Sequence, residues 1–209
     1  MVRNIFYILG SVILFFAGMV FYGMILNLQE VKLADAMIDN GISEIKNPIL
    51  IVDRKRYVLQ LFNENKLVKS YKAVFGKNQS LVKISKEDNV TPIGEYKICA
   101  KDTNTQYHKE LKLNYPSISD AAEALARNYI NQDEYDAIIL AQKNNDCPPR
   151  ETKLGAEISI HGIGTYDIIF RNLPFSFNWT NGSIAISNES IDELYSVTKI
   201  GTPVKIIYK

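Results

Sequence analysis

Three residues carry the chemistry this sequence can offer: a serine, the glycine before it and a histidine. Gly182 and Ser183 lie in the stretch Asn178-Trp179-Thr180-Asn181-Gly182-Ser183-Ile184-Ala185, and His161 ends the stretch Ser159-Ile160-His161, 183 − 161 = 22 positions earlier. A serine hydroxyl is not ionised at neutral pH, so it attacks a carbonyl only where a base removes its proton during the attack. His161 is the candidate base. The other histidine, His108, sits between Tyr107 and Lys109 and reads as a surface or cleft residue without a role. Gly182 lets the backbone approach a substrate closely, so the N–H groups around Gly182 and Ser183 could face a developing oxyanion. Trp179, Thr180 and Asn181 are candidate substrate contacts, with Trp179 reading equally well as a core anchor. Tyr107 and Tyr115 could line a cleft or simply pack.

Strands and helices must position these residues. Alternating apolar positions predict strands in NPILIVDR and YVLQLF, with a hairpin at the turn-like Asn63-Glu64-Asn65-Lys66 leading into LVKSYKAVFG. In NVTPIGEYKICA, Gly94, Tyr96, Ile98 and Ala100 share one phase. Helical spacing of Ala122, Leu125 and Tyr129 predicts a helix over Ser119–Ile130, capped by Ser119 or Asp120, and a second follows in DEYDAIILAQKN. AEISIHG and GSIAIS read as short strands. NESIDELYSVTKI reads as a helix capped by Asn188 with Leu194 and Val197 inward, and VKIIYK as a last strand. The fold class expected is a β-rich α+β domain with inserted helices.

The N-terminus is different. From Ile5 to Leu26 the chain runs 22 residues without a charged side chain. At about 1.5 Å per residue that spans the roughly 30 Å of a bilayer's hydrocarbon core. The run exceeds a signal peptide's apolar core, and bulky residues occupy the place of a cleavage site, so it reads as an uncleaved transmembrane anchor. Arg3 before the run, with Glu30, Lys32 and Asp35 after it, predicts a cytoplasmic N-terminus and an exported remainder. Gln29–Gly41, with Val31, Ala34, Met37 and Ile38 at helical spacing, reads as a stalk helix. The expected organisation is an anchor over 1–28, a stalk and linker over 29–47 and a catalytic domain over 48–209.

A net charge of +1 gives no concentrated basic face and no reason to expect nucleic acid. Without Arg3 the 24 basic residues become 23, matching the 23 acidic ones, so the exported part is formally neutral. The basic run Arg54-Lys55-Arg56 reads as a solvated strand-turn face. Two cysteines without a C-x-x-C pattern support neither a zinc site nor a redox site. In an oxidising compartment Cys99 and Cys147 could pair, or both could be free or buried thiols; the residues leave both open.

TPIGEY (91–96), the SIHG strand end and NWTNGSIAISNESIDELY followed by GTPVKI together resemble the L,D-transpeptidase (YkuD-type) catalytic domain, over about Pro48 to Lys209. The similarity is greatest to a branch whose motif reads D-W-T-x-G-C-I-A. It implies a β-sandwich-like catalytic domain acting on peptidoglycan stem peptides at an L-centre next to a D-amino acid, with no metal or organic cofactor. By the resemblance His161 is the general base, Ser183 takes the nucleophile position and Gly182 precedes it. Ser183 stands where the family has cysteine, and Asn178 where this branch has aspartate. Three readings follow: a peptidoglycan acyltransferase or amidase using Ser183, a peptidoglycan-binding pseudoenzyme without turnover, or a chain in which serine was substituted for cysteine to silence it. The apolar run predicts a single pass through the bacterial inner membrane, and the branch resemblance implies a Gram-negative periplasm as the place of the exported domain.

Overall fold

The computed structural model describes residues 2–27, 30–173 and 176–209. Helix α1 (Val2–Asn27) is apolar along its length, and its described side chains are nearly all exposed. It is long and apolar enough to cross a membrane, features that a signal sequence shares.

The expected stalk forms a shorter helix, α2 (Leu33–Asp39). It lies against the domain, with Leu33 and Ala36 buried while Val31, Ala34 and Ile38 face outward. Of the four residues at helical spacing, Met37 alone packs against the core, so the inward face agrees with the spacing only there. Glu193 fixes it, accepting the Leu33 N–H at 2.8 Å and pairing with Lys69 at 2.7 Å.

Strands β1 (Pro48–Asp53), β2 (Val58–Asn63) and β3 (Lys66–Lys72) form the expected antiparallel hairpins. β4 (Gly94–Thr105) is twelve residues long. The sequence reading missed its partner β5 (His108–Leu113), in which Leu111 and Leu113 alternate with charged residues. Helices α3 (Ile118–Ala126) and α4 (Gln132–Asn144) follow. α3 starts earlier than expected because Ser117 and Asp120 close a capping box, which turns Ala121 and Ala124 inward in place of Ala122. β6 (Ser159–His161) and β7 (Ile184–Ala185) are joined by an excursion containing a 3₁₀ turn (Gly164–Tyr166) and the short α5 (Asp167–Phe170). α6 (Asn188–Val197) is capped by Ser187, whose Oγ accepts the Ser190 N–H, rather than by Asn188. β8 (Pro203–Ile207) ends the domain.

The strand order is β3-β2-β1-β8-β4-β5-β6-β7. The first half of β4 pairs with β8 and the second half with β5, so one long strand serves both halves of the sheet. The sheet then curls back on itself: Val74, just beyond β3, exchanges two 2.9 Å backbone hydrogen bonds with Ala185 of β7. Leu50, Leu61, Tyr71, Ile98, Leu111, Ile160, Ile184 and Val204 fill one core from both halves. A satellite cluster around Ile138 and Leu154 holds α3 and α4. Cys99 of β4 is bonded to Cys147 beyond α4, settling the pairing the sequence left open. Their Cα atoms are 5.3 Å apart, within the normal range.

Candidate functional site

The site starts from a register. β6 and β7 run parallel, with Ile160 opposite Ile184 and His161 opposite Ala185. Side chains alternate along a strand, so the two isoleucines enter the core together. His161 and the residue two places before Ala185, which is Ser183, then belong to the opposite face. Two residues far apart in sequence thus share one side of a strand pair.

His161 is buried, 3% exposed. Its Nδ1 lies 2.7 Å from the Gly162 carbonyl, and a carbonyl only accepts, so Nδ1 carries the proton and Nε2 is the basic nitrogen. The ring stacks on Tyr107 at 4.3 Å between centroids and meets Trp179 edge-on at 5.9 Å. Burial among these rings holds the imidazole pKa below its ordinary value, opposed more weakly by the Gly162 carbonyl and by Glu110, opposite on β5. The imidazole is thereby kept neutral, with Nε2 unprotonated.

Ser183 Oγ accepts the Ser159 N–H at 3.1 Å, lies 3.3 Å from Ser159 Oγ and donates to the Glu157 carbonyl at 3.1 Å. Its proton is directed to that carbonyl, and among the described residues no hydrogen bond joins it to His161. The turn before it is fixed internally. Thr180 Oγ1 donates to the Ser183 carbonyl at 2.6 Å and accepts the Gly182 N–H at 3.2 Å. Thr180 is accordingly buried and its hydroxyl occupied, whereas Asn181 is exposed, 3.5 Å from Lys77 Nζ. Gly182 has φ +122°, and a Cβ there would lie 2.8 Å from the Val90 carbonyl oxygen, so only glycine fits without strain. Asn178 bridges the turn to the sheet, accepting the Phe75 N–H at 2.8 Å and donating to the Tyr57 hydroxyl at 3.2 Å. The amide supplies a donor that a carboxylate lacks.

A second layer underlies the turn, and it corrects the sequence reading. Arg54, expected on a solvated face, is 1% exposed. Its guanidinium donates to the Thr91 carbonyl at 2.7 Å and the Ser80 carbonyl at 3.0 Å. Thr91 Oγ1 accepts the Gly76 N–H at 2.9 Å, and Gly76 bridges Thr180. A Cβ on Gly76 would sit 2.0 Å from the Asn89 carbonyl oxygen and 3.1 Å from Gly182 Cα. The Arg54–Thr91–Gly76 brace therefore fixes the height of the turn carrying Ser183. Neither a lone arginine in a basic run nor Gly76 marked this role in sequence.

Beside the strand pair opens a cleft of about 360 Å³, lined by Tyr107, Tyr166, Phe170 and Trp179 among others. Phe170 stacks between Trp179 (6.1 Å) and Phe177 (5.7 Å). Tyr107 is thus a cleft residue, while Tyr115 is buried against Tyr96. His108 lies outside the cleft, 2.8 Å from Asp192. Tyr107 and Trp179 of this wall also contact the neutral His161, and such an arrangement suits acyl chemistry on an uncharged carbonyl. Among the described residues no group of three or more His, Cys, Asp or Glu could hold a metal ion.

Several solved structures are similar to this chain in fold. Bd1075 of Bdellovibrio bacteriovorus is 19% identical with a TM-score of 0.48, covering 78% of this chain and 48% of that one. The L,D-transpeptidase (residues 123–326) of Xylanimonas cellulosilytica is 15% identical with a TM-score of 0.44, covering 82% and 68%. A cysteine-to-serine mutant of the Enterococcus faecium L,D-transpeptidase is 13% identical with a TM-score of 0.44, covering 78% and 50%. The chain thus spans about half the length of the first of these. A search of curated proteins returns no match. The L,D-transpeptidase catalytic domain (YkuD) family model matches residues 47–206, and this chain belongs to that family.

Proposed function

We propose that this chain is a membrane-anchored L,D-transpeptidase-type acyltransferase acting on peptidoglycan stem peptides, with Ser183 as nucleophile and His161 as acid–base. In this reading residues 1–28 are the anchor, 29–47 the linker and 48–209 the catalytic domain facing the periplasm. The observation that carries it is the placement of Ser183 and neutral His161 on one face of the parallel β6–β7 pair.

Ser183 Oγ first turns from the Glu157 carbonyl toward the cleft, giving up a hydrogen bond worth about 1 kcal/mol. It then forms a bond to the carbonyl carbon of the L-centre while its proton passes to His161 Nε2. The amide C–N bond breaks, the leaving D-amino acid takes that proton on its amine, and an ester remains on Ser183. An amine or water attacks the ester, its proton moves through His161, and Ser183 is regenerated. The Ser183 N–H makes no hydrogen bond among the described residues and is the donor for the oxyanion, since the Gly182 N–H is engaged by Thr180. Trp179 and Asn181 border the peptide.

A second reading, a peptidoglycan binder without turnover, is favoured by the resting hydrogen bond of Ser183 to Glu157 in place of His161. Intact-mass analysis of the full chain with tetrapeptide muropeptides distinguishes the two, using the Ser183, Ser183→Ala and Ser183→Cys forms. An acyl adduct or product from the serine form, absent in Ser183→Ala, establishes turnover through Ser183. The cysteine form should acylate on the order of a hundredfold faster, because a partly ionised thiolate with a longer bond reaches the carbonyl without the rotation. Product from the cysteine form alone marks a competent site whose nucleophile has been removed, and retained binding of the serine form to the same muropeptides then supports the binder. No adduct from any form sinks the assignment of His161.

A further inference from the structure

The excursion between β6 and β7 is built inside out. A short helical segment on a protein surface normally turns its polar side chains to water and its apolar ones to the core. Here Asp167 turns inward, although Thr165 is exposed. Asp167 accepts the Asn188 N–H at 2.9 Å, and Asn188 in turn exchanges two 2.9 Å hydrogen bonds with the Gly164 backbone. The outward face holds Tyr166 (64% exposed), Ile168 (55%) and Ile169 (46%). Three adjacent large apolar side chains held outward by an inward polar framework form a surface that water does not favour.

Two further observations say what covers it. Only residues 28–32 separate α1 from α2, so the six Cα steps from Asn27 to Leu33 reach at most roughly 20 Å. α2 is itself fastened to β3 and α6 through Glu193. Second, α1 runs directly against the excursion: a Cβ on Gly23 would lie 1.8 Å from the Asn172 carbonyl oxygen. Gly23 lies three residues before the end of the apolar run at Leu26, about 4.5 Å below it along the helix. The contact therefore brings the excursion to the end of the apolar run, close to the headgroup boundary into which interfacial helices sink.

We infer that the 3₁₀ turn and α5 dock into the outer surface of the same bilayer that α1 crosses, with Tyr166, Ile168 and Ile169 in the interface. The occupant of this face is lipid. Because Tyr166 and Phe170 also line the cleft, the candidate site opens at the membrane surface rather than at the end of a free stalk. The inference rests on reading α1 as a membrane span, which the test checks separately.

The native cysteines are paired, so one introduced thiol can be labelled with an environment-sensitive fluorophore in the full chain. Ile168→Cys, Ile169→Cys, Leu140→Cys on α4 and Phe15→Cys on α1 are each reconstituted in phosphatidylethanolamine–phosphatidylglycerol vesicles with and without brominated acyl chains. Labels at 168 and 169 should lose about half their emission to bromine near the headgroups, with the label at 140 unchanged. Two positions guard against one variant misfolding. Quenching at 15 with none at 168 or 169 overturns the interfacial docking while leaving the anchor intact. No quenching at 15 overturns the anchor and the docking with it. Loss of solvent exposure at 168 without bromine quenching, accompanied by cross-linking between copies, assigns the face to a second copy and also overturns the proposal.

Discussion

The β6–β7 strand pair and the excursion that joins its two strands are neighbours in sequence and opposites in construction. In the strand pair nearly every polar group has a protein partner, and the turn at Gly182 is pinned by Thr180, Gly76, Thr91 and Arg54. The excursion keeps its hydrogen bonds on its inner side and leaves aromatic and aliphatic side chains in the open. On the proposed function, the reacting groups are thus held by a rigid scaffold, while the surface proposed to meet substrate and lipid is made of side chains that cost little stability to change. Positional error harms chemistry more than recognition, because a displacement of about 1 Å can lower a rate a hundredfold.

Arg54→Ala should break this contrast most severely. It removes a buried hydrogen bond to the Thr91 carbonyl and a part-buried one to Ser80, and opens a void beneath the Ser183 turn, a loss of about 4 kcal/mol read from the urea midpoint. Acylation of the Ser183→Cys form should fall with it. Retained stability would place the support of the turn elsewhere.

Replacing Cys99 and Cys147 by serine should cost up to about 4 kcal/mol, since the bond closes a span of 48 residues. This bond ties the α3–α4 region to β4 rather than bracing the turn. The same double variant in the Ser183→Cys background should therefore keep its acylation rate at a temperature where it remains folded. A parallel loss of rate would show that the strand pair is not supported independently.

Phe170→Ala tests the excursion. The ring is only half-buried, so unfolding should shift by less than about 1 kcal/mol. Loss of its stacking on Trp179 should weaken muropeptide binding about tenfold in calorimetry. A large stability loss with unchanged binding would reverse the assignment of roles.

The smallest effect is a pH dependence. Burial lowers the His161 pKa below the ordinary 6.5, so in the window beneath 6.5 the unfolded chain binds a proton that the folded chain refuses. Stability should therefore decline as pH falls through and below 6.5, and His161→Gln should flatten that part of the profile. An unchanged slope in the variant would mean that His161 is not held neutral by the fold.

How much could be read without the structure depended on whether a residue's role was local. The hairpin at Asn63–Lys66 and the helix at 188–197 follow from spacing and turn chemistry within a few residues. β5 escaped notice because His108, Lys109, Glu110 and Lys112 hide the alternation of Leu111 and Leu113. Helix α2 showed its period but not its buried face, because that face is chosen by Glu193, 160 positions away. Arg54 escaped for the same reason: burying a guanidinium needs carbonyls from residues 80 and 91, which no local window contains.

By itself the sequence determined the apolar N-terminal run, the order of the strands and helices it could register, and the family to which Ser183 and His161 point. Periodicity, turn residues and motif order are properties of short segments. Tertiary structure alone decided that β6 and β7 lie parallel in the register that puts Ser183 and His161 on one face. It also decided that Cys99 meets Cys147, that Arg54 supports the reactive turn and that α5 turns its apolar side outward. Each is a pairing across 21 or more positions, selected by the closing of a single curled sheet around one core.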